Sequence, residues 1–281
     1  MFEQTTFLIL RLGHGDENTQ PEPRLVTMLS GLVVRMISAG VNHSLVITNT
    51  GDLYSWGSDR FGQLGYGGGD AGKGSLHPKK VEHLKKHVVV AIAAGDAHSV
   101  CFTDNGEIYS WGCNKEGQLG ITLIDKGTAL EGGSGISTPR RVYVQHSRGK
   151  AKDVKESRYQ SVVRHCSLLQ IVASRCSTLL LCRAEDYIGA RGSGMPSSNE
   201  VHQWGHGSPH PSRVQFSRTS SSSSGKSDPA MDRFFGHRTT TAVNIVQLSA
   251  GLYHNVALSS SGHVYTWLVL LLCCLYFLSD S

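Results

Sequence analysis

Three histidines stand at matched positions in this 281-residue chain. His43, His98 and His254 each follow an Ala-Gly-x-x stretch and precede Ser or Asn. Histidine is a common metal ligand and general base, so three in register invite a metal centre. Their separations of 55 and 156 residues argue against it. Residues at the same place in successive copies of a unit stand on different units and cannot converge on one ion. Each histidine is expected to be structural, hydrogen-bonding a neighbouring backbone group. Trp56, Trp111, Trp204 and Trp267 are in register too, and are expected to pack within or between units rather than to stack on a ligand.

Other chemical signals are weaker. Ser224-Gly225-Lys226-Ser227 is like the end of a phosphate loop, but Ser220 stands where the first Gly is required and no strand-then-helix context surrounds it. The seven cysteines form no C-x-x-C pair, which excludes the usual zinc and thioredoxin spacings, and an odd scattered count suits free thiols in a reducing compartment. No nucleophile–base pair, paired carboxylates or H-E-x-x-H motif is present. The expectation is a non-enzymatic protein with no catalytic, cofactor or metal residues.

Lys plus Arg number 27 against 22 Asp plus Glu, a net charge of +5. That is too weak to imply nucleic-acid binding unless the charge is clustered. One cluster exists: Lys79, Lys80, Lys85 and Lys86, with Arg140 and Arg141 at the equivalent place in the next unit. It reads as a solvated basic face, with a protein or DNA contact as the alternative.

The elements that must carry these residues emerge from internal repetition. Residues 37–65 and 92–120 are identical at 15 of 29 positions at a constant offset of 55. Gly40, His43, Gly51, Trp56, Gly57, Gly62 and Gly65 in the first copy become Gly95, His98, Gly106, Trp111, Gly112, Gly117 and Gly120 in the second. A third copy at 248–267 keeps Gly251, His254, Gly262 and Trp267. A degenerate copy begins at 171–181, with Ser174 and Ser177 at the Gly and His positions, and resumes at 200–205 with Trp204. Pro23, Pro78, Pro139 and Pro211 each precede a Val by three residues and are expected to open the next strand.

Each copy reads as β. Leu45 and Ile47 alternate with Ser44, Val46 and Thr48, and Asn49-Thr50-Gly51 and Asp104-Asn105-Gly106 are hairpin turns. A small antiparallel sheet cannot bury both its faces alone, so the units must stack, and radial stacking makes a propeller.

The order AGxxHS, hairpin, YSWGxNxxGQLG, PxxV closely resembles the regulator of chromosome condensation repeat. The resemblance covers about 11–267, and LGHGD at 12–16 looks like the tail of a preceding blade. Within that family, RLGHGDENTQPEPRLV is most similar to the repeats of the inhibitor of Bruton tyrosine kinase and related BTB-containing proteins. The resemblance implies an all-β, partial and open propeller of four-stranded antiparallel blades, seven being the family norm. Its units are a fragment at 11–31, repeats at 32–86 and 87–145, a degenerate repeat at 162–216 and a truncated one at 243–267. It also implies a protein-binding scaffold or adaptor, with small GTPases or ubiquitin-ligase components as possible partners. Guanine-nucleotide exchange, or a chromatin-associated role, is the alternative.

Several stretches depart from the pattern. Residues 146–161 are basic and 217–241 are Ser-rich, and both read as disordered loops. Leu268 replaces the expected Gly after Trp267, and an apolar tail follows to residue 281. Val264–Leu278 is either a membrane anchor, shorter than the ~18–20 residues normally needed, or the product of a frame that breaks away at Trp267. The abrupt break favours the second. No secretory signal is expected, because Glu3 sits where a basic region belongs. Cytoplasm or nucleus follows from the thiols, and membrane only if the tail is an anchor. Two uncovered faces at the ends of the arc are expected to promote association.

Overall fold

A computed structural model describes residues 10–68, 72–121, 135–142, 166–184, 199–216 and 243–268. The described residues form strands joined by turns and short 3-10 segments. The first sheet holds β1 (Val34–Ala39), β2 (His43–Thr48), β3 (Leu53–Gly57) and β4 (Ser75–Lys80). The second holds β5 (Val89–Ala94), β6 (His98–Thr103), β7 (Ile108–Cys113) and β8 (Gly135–Val142). The third holds β9 (Cys166–Ala173), β10 (Ser177–Ala184), β11 (Asn199–Gly205) and β12 (Ser208–Arg213). The fourth holds three strands, β13 (Ile245–Ala250), β14 (His254–Ser259) and β15 (Val264–Leu268).

Each sheet is a meander in which every strand pairs antiparallel with its sequence neighbour. One register runs through all four. Ser44 lies opposite Trp56, Ser99 opposite Trp111, Thr178 opposite Trp204 and Asn255 opposite Trp267. The third sheet keeps this register although its histidine is gone. Backbone hairpin geometry therefore outlasts the signature residue. Gly51 turns the β2–β3 hairpin at φ 84°, a left-handed conformation that L side chains rarely adopt.

The sheets pack face to face, as blades. Leu45 and Ile47 of the first meet Ile92, Cys101 and Trp111 of the second. Val100 and Phe102 of the second meet Ile171, Leu180 and Trp204 of the third. Leu179 and Leu181 of the third meet Leu248 and Ala257 of the fourth. Interior blades are covered on both faces, so β6 is buried at every position rather than alternating. Fully buried aliphatics such as Leu45 and Leu179 each contribute about 1.5–3 kcal/mol. The four blades do not close into a ring among the described residues.

One sequence expectation changes here. The prolines do not open their strands: Pro78 and Pro211 are the fourth residues of β4 and β12, and Pro139 is the fifth of β8. They sit on the outermost strand, beside register shifts in the ladder, where a missing N–H leaves no bond unmade. Pro23 precedes no strand. As for a membrane segment, no helix among the described residues is long and apolar enough to cross a bilayer. Val264–Leu268 is strand β15, and the remainder of the tail lies outside the described residues, as do 146–161, 217–241 and Ser224–Ser227.

Candidate functional site: the blade-to-blade latch and the outer rim

Each repeat signature belongs to two blades at once. His43 Nε2 lies 2.9 Å from Ser99 Oγ in the second blade. Ser99 donates its hydroxyl proton to the Gln63 carbonyl at 2.7 Å, and Trp111 Nε1 donates to the same oxygen at 2.8 Å. Gln63 lies in the G-Q-L-G turn leaving the first blade. With its one proton already committed, Ser99 can only accept from histidine, so His43 carries its proton on Nε2. Nδ1 is then a bare lone pair, and it has no hydrogen-bond partner.

The next interface repeats the device. His98 Nε2 lies 3.0 Å from Thr178 Oγ1, which donates to the Gln118 carbonyl at 3.1 Å. Trp204 is buried, but its indole N–H finds no acceptor among the described residues. At the start of the chain, Arg11 takes the place of the turn glutamine. Its carbonyl accepts from Ser44 Oγ at 3.2 Å and from Trp56 Nε1 at 2.9 Å. The last glycine of each turn lies against the tryptophan it serves. A Cβ on Gly65, already at φ 80°, would stand 2.8 Å from the Trp111 indole nitrogen.

His43 and His98 thus bond a side-chain hydroxyl of the next blade. Sequence reasoning missed Ser99, Thr178 and the Gln63 and Gln118 carbonyls, although the constant His-Ser pair and the recurring G-Q-L-G hinted at them. Burial strips water from both imidazoles and lowers their pKa values, to about 4 for His43 and about 3 for His98. Both are neutral near pH 7. They lie in separate interfaces, and the described residues hold no group of three or more His, Cys, Asp and Glu suited to a metal.

The third-to-fourth interface is built differently. Ser177, at the histidine position, bonds Ser174 within its own turn at 2.8 Å. Gln170 instead reaches the fourth blade, its amide pairing with both N–H and C=O of Leu248 at 2.7 and 2.8 Å. Arg175 adds a bridge, 3.5 Å from Asp96 of the second blade and 3.0 Å from the Tyr253 hydroxyl of the fourth. Trp267 Nε1 donates to the Gln203 side chain at 2.9 Å.

Three of the six residues in the basic cluster read from sequence are ion-paired among the described residues. Lys80 pairs with Asp52 at 2.7 Å, Arg141 with Glu107 at 2.6 Å and Lys85 with Glu82 at 3.9 Å. The third blade repeats the first two pairs as Arg213–Glu200 at 3.0 Å. Bonding to Lys80 holds the Asp52 carboxyl below its ordinary value. Lys79 lies 4.7 Å over the Tyr66 ring. A different patch keeps exposed cations. Arg60 and Lys115, from equivalent turns of the first two blades, flank the half-buried Phe61 ring at 5.6 and 5.4 Å.

Meander sheets stacked face to face and latched by a repeating His–hydroxyl–carbonyl–Trp set define a partial β-propeller of repeat units. Family models for the regulator of chromosome condensation (RCC1) repeat match residues 10–47, 50–102 and 105–163, and a second RCC1-repeat model matches 34–63, 89–118 and 245–267. The chain belongs to this family. Neither model matches the third blade, where the histidine and the G-Q-L-G turn are lost.

Among curated relatives, the human E3 ubiquitin-protein ligase HERC2 is 29% identical over 260 residues, which is 92% of this chain and 4% of HERC2. The mouse inhibitor of Bruton tyrosine kinase is 36% identical over 138 residues, 49% of this chain and 10% of that protein. The crystal structure of human WBSCR16 shares the fold at 17% identity and a TM-score of 0.53, covering 84% of this chain and 47% of that one. The chain therefore spans a small part of these curated relatives.

Proposed function

We propose that this chain is a non-catalytic, protein-binding propeller segment of the cytoplasm or nucleus. One observation carries the reading. The repeat's recurring polar groups are engaged in holding blade to blade, while Arg60, Phe61 and Lys115 present a cationic, aromatic surface outside that hydrogen-bonded latch. Aromatic and Arg side chains are the groups most enriched where proteins bind one another. A partner with acidic side chains around an apolar or aromatic anchor fits this rim.

The test compares the intact chain with a variant carrying R60E, F61A and K115E. Proteins captured by the intact chain are expected to be lost by the variant at unchanged melting temperature. Nucleotide release from a panel of small GTPases is expected to proceed at its intrinsic rate. Accelerated release would replace the scaffold reading with an exchange-factor one, and capture indifferent to the variant would move the contact surface elsewhere.

A further inference from the structure

Among the described residues, the latch that joins the first three blades is left half-made at each end of the arc, and the two halves are complementary. In the fourth blade, His254 occupies the position of His43 and His98. Its ring is tucked under Gly251 as theirs are under Gly40 and Gly95: a Cβ on Gly251 would meet His254 Cε1 at 2.8 Å. Yet the imidazole is exposed and has no hydrogen-bond partner among the described residues, whereas His43 and His98 are 1% and 0% exposed. In the first blade, Ser44 occupies the position of Ser99 and Thr178. It has made the carbonyl half of the hub, to Arg11, and no histidine among the described residues bonds to it.

The apolar surroundings match. Ile37 corresponds to Ile92 and Ile171, which the preceding blade buries to 5% and 7%, but Ile37 is 75% exposed. At the other end, Val264 corresponds to Leu53, which is 2% exposed in its interface, but Val264 is 63% exposed. The two internal interfaces that hold the histidine–hydroxyl–carbonyl chain show what such a pair of faces accepts.

We infer that copies of this chain associate head to tail, the fourth blade of one seating on the first blade of another, with His254 Nε2 donating to the partner copy's Ser44. This contact is heterologous, since each copy offers two different faces. It is a direct extension of the interface between the first and second blades, and Arg11 has already placed the carbonyl that polarises Ser44.

Sedimentation velocity and light scattering on the intact chain test this. Ile37→Arg blocks only the first-blade face and Val264→Arg only the fourth-blade face. Both sites are solvent-exposed, so the fold and its circular dichroism are expected to be unchanged. The unmodified chain is expected to gain mass with concentration, and each variant alone to remain monomeric. An equimolar mixture of the two is expected to give a one-to-one dimer and nothing larger, because only one productive pairing of faces survives. His254→Ala is expected to weaken the association by about tenfold, the scale of one lost hydrogen bond. Self-association of V264R alone would mean a symmetric contact between first blades and would overturn the inference. So would an unmodified chain that stays monomeric, its faces being filled by its own segments, or aggregation that neither substitution reduces.

Discussion

Acidification should unlatch the blades, and the size of the effect follows from His43 and His98. Both hold a proton on Nε2 and present a bare, buried Nδ1, so a second proton would sit on a nitrogen with no acceptor. Burial puts the native pKa values at about 4 and about 3, against an unfolded value near 6.5. The unfolded chain therefore takes up protons that the native chain refuses, and stability falls as pH falls. The stabilising contribution is fully present above about pH 6.5, is lost as the pH drops towards 4, and levels off below about 3. Each histidine contributes a slope of up to ~1.4 kcal/mol per pH unit, so the pair removes about 4 kcal/mol between pH 7 and 5. That is a large share of a typical domain's ~5–15 kcal/mol. Urea unfolding followed by tryptophan fluorescence at half-unit pH steps reads this slope. His43→Gln keeps an N–H donor for Ser99 but cannot titrate, and should remove about half of the pH dependence. Stability constant to within about 1 kcal/mol over that range, or an undiminished slope in the glutamine variant, would refute the argument.

Further outcomes are expected at single positions. Ser99→Ala removes the hydroxyl shared by His43 and Gln63, leaves a buried imidazole N–H unpaired, and should cost about 2–3 kcal/mol in chemical unfolding. Gly51→Val forces a β-branched residue to φ 84° and drives its Cβ to 2.5 Å from Val88 Cγ1. A loss of more than ~1 kcal/mol in a thermal melt is expected, and a neutral result would mean the turn relaxes. Gln170→Ala deletes both bonds to Leu248, so hydrogen exchange should accelerate in β13 and β14 while β6 remains protected.

The blades were legible in the sequence because the repeat states its own period. A shared offset fixed which residues are equivalent, and alternation with turn glycines fixed the strands around them. What the offset could not supply was the partner of each equivalent residue. His43 and Ser99 are 56 positions apart, and only the stacking of one blade on the next brings them together. The prolines misled because an edge strand accommodates a missing N–H along its length, not only at its first residue. The basic run was read along the chain alone, while Lys80 and Arg141 find their carboxylates, Asp52 and Glu107, beside the neighbouring strand. Gln170 left no signal at all, since its role replaces a motif that the third blade has lost.

The carbonyls of Arg11, Gln63 and Gln118 set where this chain tolerates being cut. Each lies outside the sheet whose serine or threonine it anchors, on the turn that arrives from the preceding unit. A fragment trimmed neatly at the first residue of β1 would look complete by its strands, yet Ser44 and Trp56 would lose their acceptor. Severed between the first and second or the second and third blades, the chain would lose a latch at the cut, because the units of sequence and the units of cohesion are out of phase. Shorter pieces intended for expression, or for grafting into another propeller, should therefore begin upstream of the R-L-G or Q-L-G turn and carry it as a foreign-looking leader into the first blade.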